Sequence, residues 1–293
     1  MPELPEVETV RRGLAPVLVG NRIKNVETRR ADLRFPFPDH FADRLRGQEI
    51  TALERRAKYL IAQLASGEDL VMHLGMTGRF TVAQDGLRTT PGEYSHPAGA
   101  DGTHDHVVFH LSDGSRVIYN DARRFGFMVM VAHDERDMHP FLRGLGVEPL
   151  SVALSPDYLA ARARTKKVNL KSFLMDQRVV AGLGNIYVAE ALYQAHLAPD
   201  RAARTLADRS GKANDKADRL TVAIKDVLGR AIEARGSTLR DYRDPSGGSG
   251  GFQAAFRVYN REGEACRTPG CSGTIRRTVS GGRANFHCPR CQR

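Results

Sequence analysis

Apolar residues recur at Val7, Val10, Leu14 and Val17, and Glu6 and Glu8 fall in the first turn after Pro5. Steps of three, four and three residues lay one apolar stripe along a helix, so an amphipathic helix is predicted to start at or near Pro5. From about residue 50 the pattern changes to short β-like runs: YLIAQL, DLVMHL, VVFHL, RVIYN and FMVMV. Asp113-Gly114, between two of these runs, is a hairpin signal because both residues tolerate the positive φ of a tight turn. The first half is therefore expected to be mostly antiparallel sheet, a sandwich packed with the N-terminal helix. Residues 83–105 are rich in Gly, Pro and polar residues and read as a long exposed loop, and 133–152 as a linker. Helical periodicity then dominates at roughly 155–178, 186–196 and 215–235. A glycine-rich stretch, DPSGGSGGF at 244–252, interrupts this second half.

Composition narrows the picture. A chain of 293 residues with 41% hydrophobic content is long enough for two cores. Lys and Arg exceed Asp and Glu by 44 to 34, and a net charge of +10 favours a polyanionic partner over plain solubility, though only slightly. The N-terminus MPELPEVETVRRGL carries carboxylates where a secretory signal has a basic stretch and an apolar run. No apolar stretch of roughly 18 residues is present, so no membrane span is expected and the cytoplasm is the default compartment. Four cysteines in that compartment favour metal over disulfides.

Those cysteines are spaced Cys266-x4-Cys271-x16-Cys288-x2-Cys291. Two close pairs separated by a hairpin-length insert suit a tetrahedral, closed zinc site, structural rather than catalytic. Between the pairs, TIRRTV and RANFHC flank Ser280-Gly281-Gly282 and read as a β-hairpin carrying Arg276, Arg277 and Arg283. Such a basic ribbon could contact DNA or be a solvated hairpin. At the other end, Pro2 follows the initiator Met, and its small side chain favours methionine removal, which would expose a secondary amine. An α-amino group titrates near about 7.7–8.0 against about 10.4 for lysine, so its nucleophilic fraction at neutral pH is larger. Attack on C1′ of a deoxyribose would form a cationic iminium, an electron sink for losing the 3′ and then the 5′ phosphate. Glu3 is adjacent and Glu6 one turn away, both able to handle protons. On spacing alone, however, Pro2, Glu3 and Glu6 also read as an ordinary helix start.

Seven motifs in order carry a resemblance that covers the whole chain. MPELPEVETVRRGL, ERRAKYL (54–60), HLGMTGRF (73–80), HDHV (104–107), DARRFGF (121–127), DQRVVAGLGNIYVAEALY (176–193) and the terminal cysteines resemble the formamidopyrimidine-DNA glycosylase family. The resemblance implies Pro2 as Schiff-base nucleophile, Glu3 as general acid, Glu6 as a supporting carboxylate and Lys58 as a grip on the phosphate beside the lesion. It implies that Met76, Arg123 and Phe125 fill the gap left by an extruded nucleotide, which recovers part of the few kcal/mol of lost stacking. Asn185 and Tyr187 match the turn of a helix-two-turn-helix element, with Gly182 and Gly184 permitting a tight backbone, although Asn185 could equally cap the following helix. Arg283 matches a phosphate-binding arginine of the zinc hairpin, and His73 and Arg124 are secondary DNA contacts.

The implied fold is α+β: an N-terminal helix with an antiparallel β-sandwich, then a helix-two-turn-helix domain ending in a β-hairpin four-cysteine zinc finger. The expected divisions are a catalytic sandwich domain at 1–132, a linker at 133–152, the helical domain with a lesion-covering loop at 153–258, and the zinc finger at 259–293. The implied enzyme is a monomer associated with the nucleoid. It holds one structural Zn2+ and no organic cofactor, and acts on duplex DNA containing 8-oxoguanine or formamidopyrimidine, preferably opposite cytosine. Two departures stand out: the first cysteine pair is spaced by four residues rather than the usual two, and the lesion-covering loop is unusually rich in glycine. Two alternatives remain at this point. The related endonuclease VIII type acts on oxidised pyrimidines; against it stand Leu4, where that type usually has Gly, and the intact Met76, Arg123 and Phe125 set. A non-catalytic zinc-dependent DNA-binding protein would also fit the charge and the cysteines.

Overall fold

The structure, a computed structural model, describes residues 2–91, 102–237 and 251–293. Processing of Met1, the middle of the 83–105 loop and most of the glycine-rich segment lie outside the described residues. Two compact units emerge: residues 1–143 together with 232–253, and residues 144–231 together with 254–293.

In the first unit, helix α1 (Leu4–Leu18) buries Val7, Val10 and Leu14 of the stripe expected from the sequence, together with Leu4 and Leu18, while Val17 is half-buried against the same core. Pro5 sits in its first turn, where a missing N–H costs no hydrogen bond. Strand β1 (Ile23–Thr28), the short helix α2 (Phe41–Leu45) and β2 (Ile50–Arg56) follow, then β3 (Tyr59–Leu64), β4 (Glu68–His73), β5 (Arg79–Gln84) and β6 (Leu87–Thr89). β7 (Asp105–Leu111), β8 (Arg116–Asn120) and β9 (Phe127–Ala132) complete two antiparallel sheets, ordered β1-β7-β8-β5-β6 and β2-β3-β4-β9. All five apolar runs are strands, and Asp113-Gly114 turns the β7–β8 hairpin with Gly114 at φ 89°. One core cluster joins both sheets to α1, with Val10, Leu14, Leu60, Met72, Phe80, Val107 and Tyr119 at its centre. Residues 133–138, inside the expected linker, form a 3₁₀ turn whose His133 and Arg136 reach the fully buried Asp69.

In the second unit the periodic stretch 155–178 is two helices, not one: α3 (Pro156–Ala163) and α4 (Leu170–Met175). The break has a local cause. Asn169 turns its side chain back to accept from Ser172 N at 2.7 Å, capping a new helix instead of continuing the old one. Helix α5 (Asn185–Gln194) is buried on nearly every side, and α6 (Asp215–Glu233) ends before Arg235 and Gly236, both in the left-handed region. The chain closes with the hairpin of β10 (Arg276–Ser280) and β11 (Arg283–His287). Gly281 and Gly282 both have positive φ, as a two-residue turn that matches strand twist requires. No helix among the described residues is long and apolar enough to cross a membrane.

Candidate active site and nucleic-acid-binding elements

At the start of α1, Glu3 and Glu6 form a reciprocal capping box in which each carboxylate serves the other residue's backbone N–H. Pro2, Glu3 and Glu6 are all buried. Glu6 Oε2 accepts from Glu3 N at 2.9 Å, and Glu6 Oε1 accepts from both the backbone N and the hydroxyl of Ser237, at 2.8 and 2.9 Å. Gly236 lies against this carboxylate at φ 90°, where an added Cβ would stand 3.0 Å from Glu6 Oε1. The helix-start reading holds, and the capping geometry is what fixes Glu3 beside Pro2. Ser237 is a contributor that sequence reading missed; no local pattern links it to a residue 231 positions away.

Lys58 occupies the turn between β2 and β3 and is buried, 7% exposed, which excludes the solvated-charge reading. Ala57 before it adopts φ 53°, and Arg55 holds that turn by donating to Ala57 O at 2.9 Å and to Glu8 Oε2 at 3.3 Å. Glu8, also bound by Arg11 and Arg12, ties the turn to α1. Burial by itself would raise the Glu8 carboxyl, but the arginine hydrogen bonds and charges hold it below the ordinary range. His73, at the end of β4, is pushed down to about 4 by burial first and then by the charges of Lys58 and Arg34. It is neutral at pH 7, with Nδ1 accepting from Gly75 N at 3.0 Å and its ring stacked on Phe127. As a DNA contact it can therefore offer only a neutral donor, not a cation.

Met76 and the Arg123–Phe125 segment lie on two turns that follow β4 and β8. Phe125 is 41% exposed, with the Arg123 guanidinium 4.7 Å over its ring, while Met76 is half-buried. Neither apolar side chain belongs to the core cluster. Arg124 holds φ 54° and pairs with Asp32 at 3.3 Å.

In the second unit Asn185 is the first residue of α5 and Gly184 its cap, so the capping alternative for Asn185 is corrected. Gly182 needs its glycine, at φ 89°, whereas Gly184 is in extended backbone open to any residue. Asn185 Nδ2 reaches the Tyr259 hydroxyl at 3.5 Å, and its Oδ1 is buried with no hydrogen-bond partner. Tyr187 is fully buried, so its ring belongs to the interior and only its backbone could meet a ligand. Glu190, likewise unforeseen, accepts from the backbone N–H of Arg257, Val258 and Tyr259 at 2.8–3.0 Å. Burial raises its carboxyl against those three bonds. Arg283 is exposed at the hairpin tip and lines a groove of about 220 Å³ with Lys171, Ser172, Ser280 and Gly281.

The four cysteine sulfurs lie within 4.8 Å of one another, with Cys266–Cys291 and Cys271–Cys288 each at 3.7 Å. A tetrahedral ion with metal–sulfur bonds of about 2.3 Å requires sulfur–sulfur edges of about 3.8 Å, so the donor set fits. The wide first spacing is absorbed by a turn at Gly270, φ 74°, while Thr268 N and Gly273 N each point at a sulfur at 3.4 Å. At Gly273 a Cβ would stand 2.5 Å from Cys288 Sγ. The four cysteines are thus positioned to bind a metal ion.

A helix-led pair of antiparallel sheets, a second unit whose helix α5 starts from a glycine turn and a four-cysteine hairpin together define the helix-two-turn-helix class of DNA glycosylases. Residues 1–128 match the formamidopyrimidine-DNA glycosylase N-terminal domain, and residues 145–243 the formamidopyrimidine-DNA glycosylase H2TH domain. Formamidopyrimidine-DNA glycosylases of Rhodopseudomonas palustris (strain HaA2) and Bradyrhizobium sp. (strain BTAi1) are 58% and 56% identical to it, each over 100% of both chains. The chain belongs to the formamidopyrimidine-DNA glycosylase family. Among solved structures, the MutM (Fpg) protein of Thermus thermophilus is 37% identical with a TM-score of 0.80, over 99% of this chain and 98% of that one. The wild-type Lactococcus lactis Fpg, solved with DNA containing N7-benzyl-Fapy-dG, is 30% identical with a TM-score of 0.82 over 100% of both chains.

Proposed function

We propose that this protein is a base excision repair enzyme. It removes 8-oxoguanine and formamidopyrimidines from duplex DNA and then cuts the abasic strand by β,δ-elimination. The observation that carries this reading is the buried Pro2-Glu3 pair, held by Glu6 through the Glu3 backbone N–H. Once Met1 is removed, the neutral Pro2 nitrogen attacks C1′, and the C1′–base bond breaks as the base leaves with a proton. Glu3 is placed to supply a proton to the base or to the ring oxygen. The resulting iminium acidifies the 2′ hydrogens, and loss of one expels the 3′ phosphate as an anion; the conjugated iminium so formed acidifies the 4′ hydrogen, and its loss expels the 5′ phosphate.

Lys58 grips the phosphate beside the lesion, with His73 and Arg124 as further contacts, while Met76, Arg123 and Phe125 fill the vacated stack. Asn185 and Arg283 bind backbone phosphates, and the backbone of Tyr187 adds to that grip. The metal fitting the cysteines is one Zn2+, which supplies rigidity to the hairpin and takes no part in the chemistry. The enzyme works as a monomer in the cytoplasm at the nucleoid. Its sandwich domain spans 1–132, with a linker at 133–152, the helical domain at 153–258 and the finger at 259–293.

The test is borohydride reduction of protein mixed with a duplex carrying 8-oxoguanine opposite cytosine, followed by mass analysis of the N-terminus. A covalent adduct on Pro2 is expected. No adduct from protein shown to lack Met1 would overturn the reading. An adduct formed with thymine glycol but not with 8-oxoguanine would move the chain to the oxidised-pyrimidine type.

A further inference from the structure

The two turns that carry Met76 and Arg123–Phe125 are joined by a buried polar knot to which no role has been given above. Asp121 is fully buried. Its Oδ1 accepts from the Thr77 hydroxyl, and its Oδ2 accepts from Gly126 N at 2.8 Å and from the Tyr119 hydroxyl at 3.2 Å. Thr77 Oγ1 in turn accepts from Arg123 N at 3.1 Å. The backbone of Asp121 closes the same knot: its carbonyl faces His106 Nε2 at 2.9 Å and accepts from Arg124 N at 3.2 Å.

Steric fit reinforces the polar contacts. A Cβ at Gly75 would stand 2.3 Å from Gly126 N and from the Phe125 carbonyl carbon. The two turns therefore touch backbone to backbone, leaving no slack for one to move without the other. A buried carboxylate is costly unless its oxygens are satisfied, and here every donor that satisfies it comes from the turns or from the strand end between them.

We infer that Asp121 and Thr77 are positioning residues that lock the Met76 turn and the Arg123–Phe125 turn into one preassembled wedge. This role rests on the glycosylase reading above, because a wedge matters only when a base leaves a duplex. With the turns already fixed, the three side chains enter the stack without first being ordered, so extrusion of the lesion is opposed less. The knot touches no reacting atom and leaves the Pro2 chemistry unchanged.

Two substrates separate these steps: a duplex with 8-oxoguanine opposite cytosine, which needs the wedge, and a single-stranded abasic oligonucleotide, which has no stack to fill. In Asp121→Asn the isosteric amide keeps one acceptor and loses the other, and Thr77→Val removes the hydroxyl. Both variants should slow single-turnover excision from the duplex by roughly ten- to a hundredfold. They should cleave the abasic oligonucleotide at the wild-type rate and melt cooperatively. Thr77→Ser, which restores the hydroxyl, should excise as the wild type does. A 2-aminopurine beside the lesion should report slower gap filling in the two slowed variants. Equal losses on both substrates would reduce the knot to a purely structural role, and unchanged duplex excision would remove the role altogether. Wild-type protein inactive on both substrates would instead defeat the glycosylase reading.

Discussion

The hairpin of β10 and β11 and the paired turns around Met76 and Phe125 both present arginines on short, irregular backbone, yet different forces hold them in place. Behind the paired turns stands a large core that joins two sheets and a helix. There, hydrogen bonds to Asp121 and the close approach of Gly75 and Gly126 are enough to fix geometry. Behind the hairpin stands a small cluster of Tyr193, Val258, Ile275, Phe286 and the cysteines themselves. So little apolar burial cannot order a ribbon whose first strand is almost wholly exposed, and the four cysteines beside it are positioned to take over that task by binding a metal ion. Where a core is deep, glycines and one carboxylate set a loop; where it is shallow, the same task is left to four cysteines positioned for an ion.

The largest effect that separates the two regions should come from the metal. Cys288→Ser, or chelation of the bound ion, is expected to release the hairpin and weaken duplex binding by well over tenfold, because Arg283 loses its support. Hydrogen exchange should show β10 and β11 losing protection while β3, β4 and β9 keep theirs. Parallel losses in the sheets would break the comparison. Smaller, and reversed in location, is the effect of adding one methyl group. In Gly126→Ala the new Cβ would stand 1.8 Å from the Tyr119 hydroxyl oxygen and 2.6 Å from His73 O, whereas at Gly281 nothing lies within 4 Å. The first change should cost about 3 kcal/mol or more through overpacking, and Gly281→Ala about 1–2 kcal/mol from positive φ alone, read by urea denaturation.

The smallest effect at neutral pH, growing only on acidification, is a pH dependence confined to the sheet side. Because burial holds His73 down to about 4 against 6.5 when unperturbed, the unfolded chain binds the proton first as pH falls. The contribution is fully present above about pH 6.5 and is lost progressively between 6.5 and about 4. His73→Gln should flatten the fall of stability across that window by up to about 3 kcal/mol. A slope unchanged in the variant would mean that other groups carry it.

Much of this architecture was legible in the sequence, for stated reasons. YLIAQL and FMVMV are near-continuous apolar runs and became buried strands, and the stripe on α1 has the helical period. The cysteine spacing foretold the cluster because a metal site is built from local pairs. β1 (IKNVET) and β2 (ITALERR) went unread because each buries only about every third residue, which imitates a loop or a helix face. The split between α3 and α4 was hidden because Asn169 acts through its side chain, not through periodicity. Asp121 sits inside a quoted motif, but its partner Thr77, 44 positions away, is brought to it only by the pairing of β5 with β8. The bond from Ser237 to Glu6 has no sequence signature at all.

That bond also sets a timetable. The first unit is not finished when residue 143 has been made, since it includes residues 232–253, and Glu6 waits for Ser237. On the ribosome, at about 5–20 residues per second, the intervening stretch takes on the order of 5–20 seconds to appear. Through that interval the nascent N-terminus has its helix and sheets but not the partner that fixes Glu6. The Glu6 carboxylate therefore takes its final position only after most of the second unit has been synthesised.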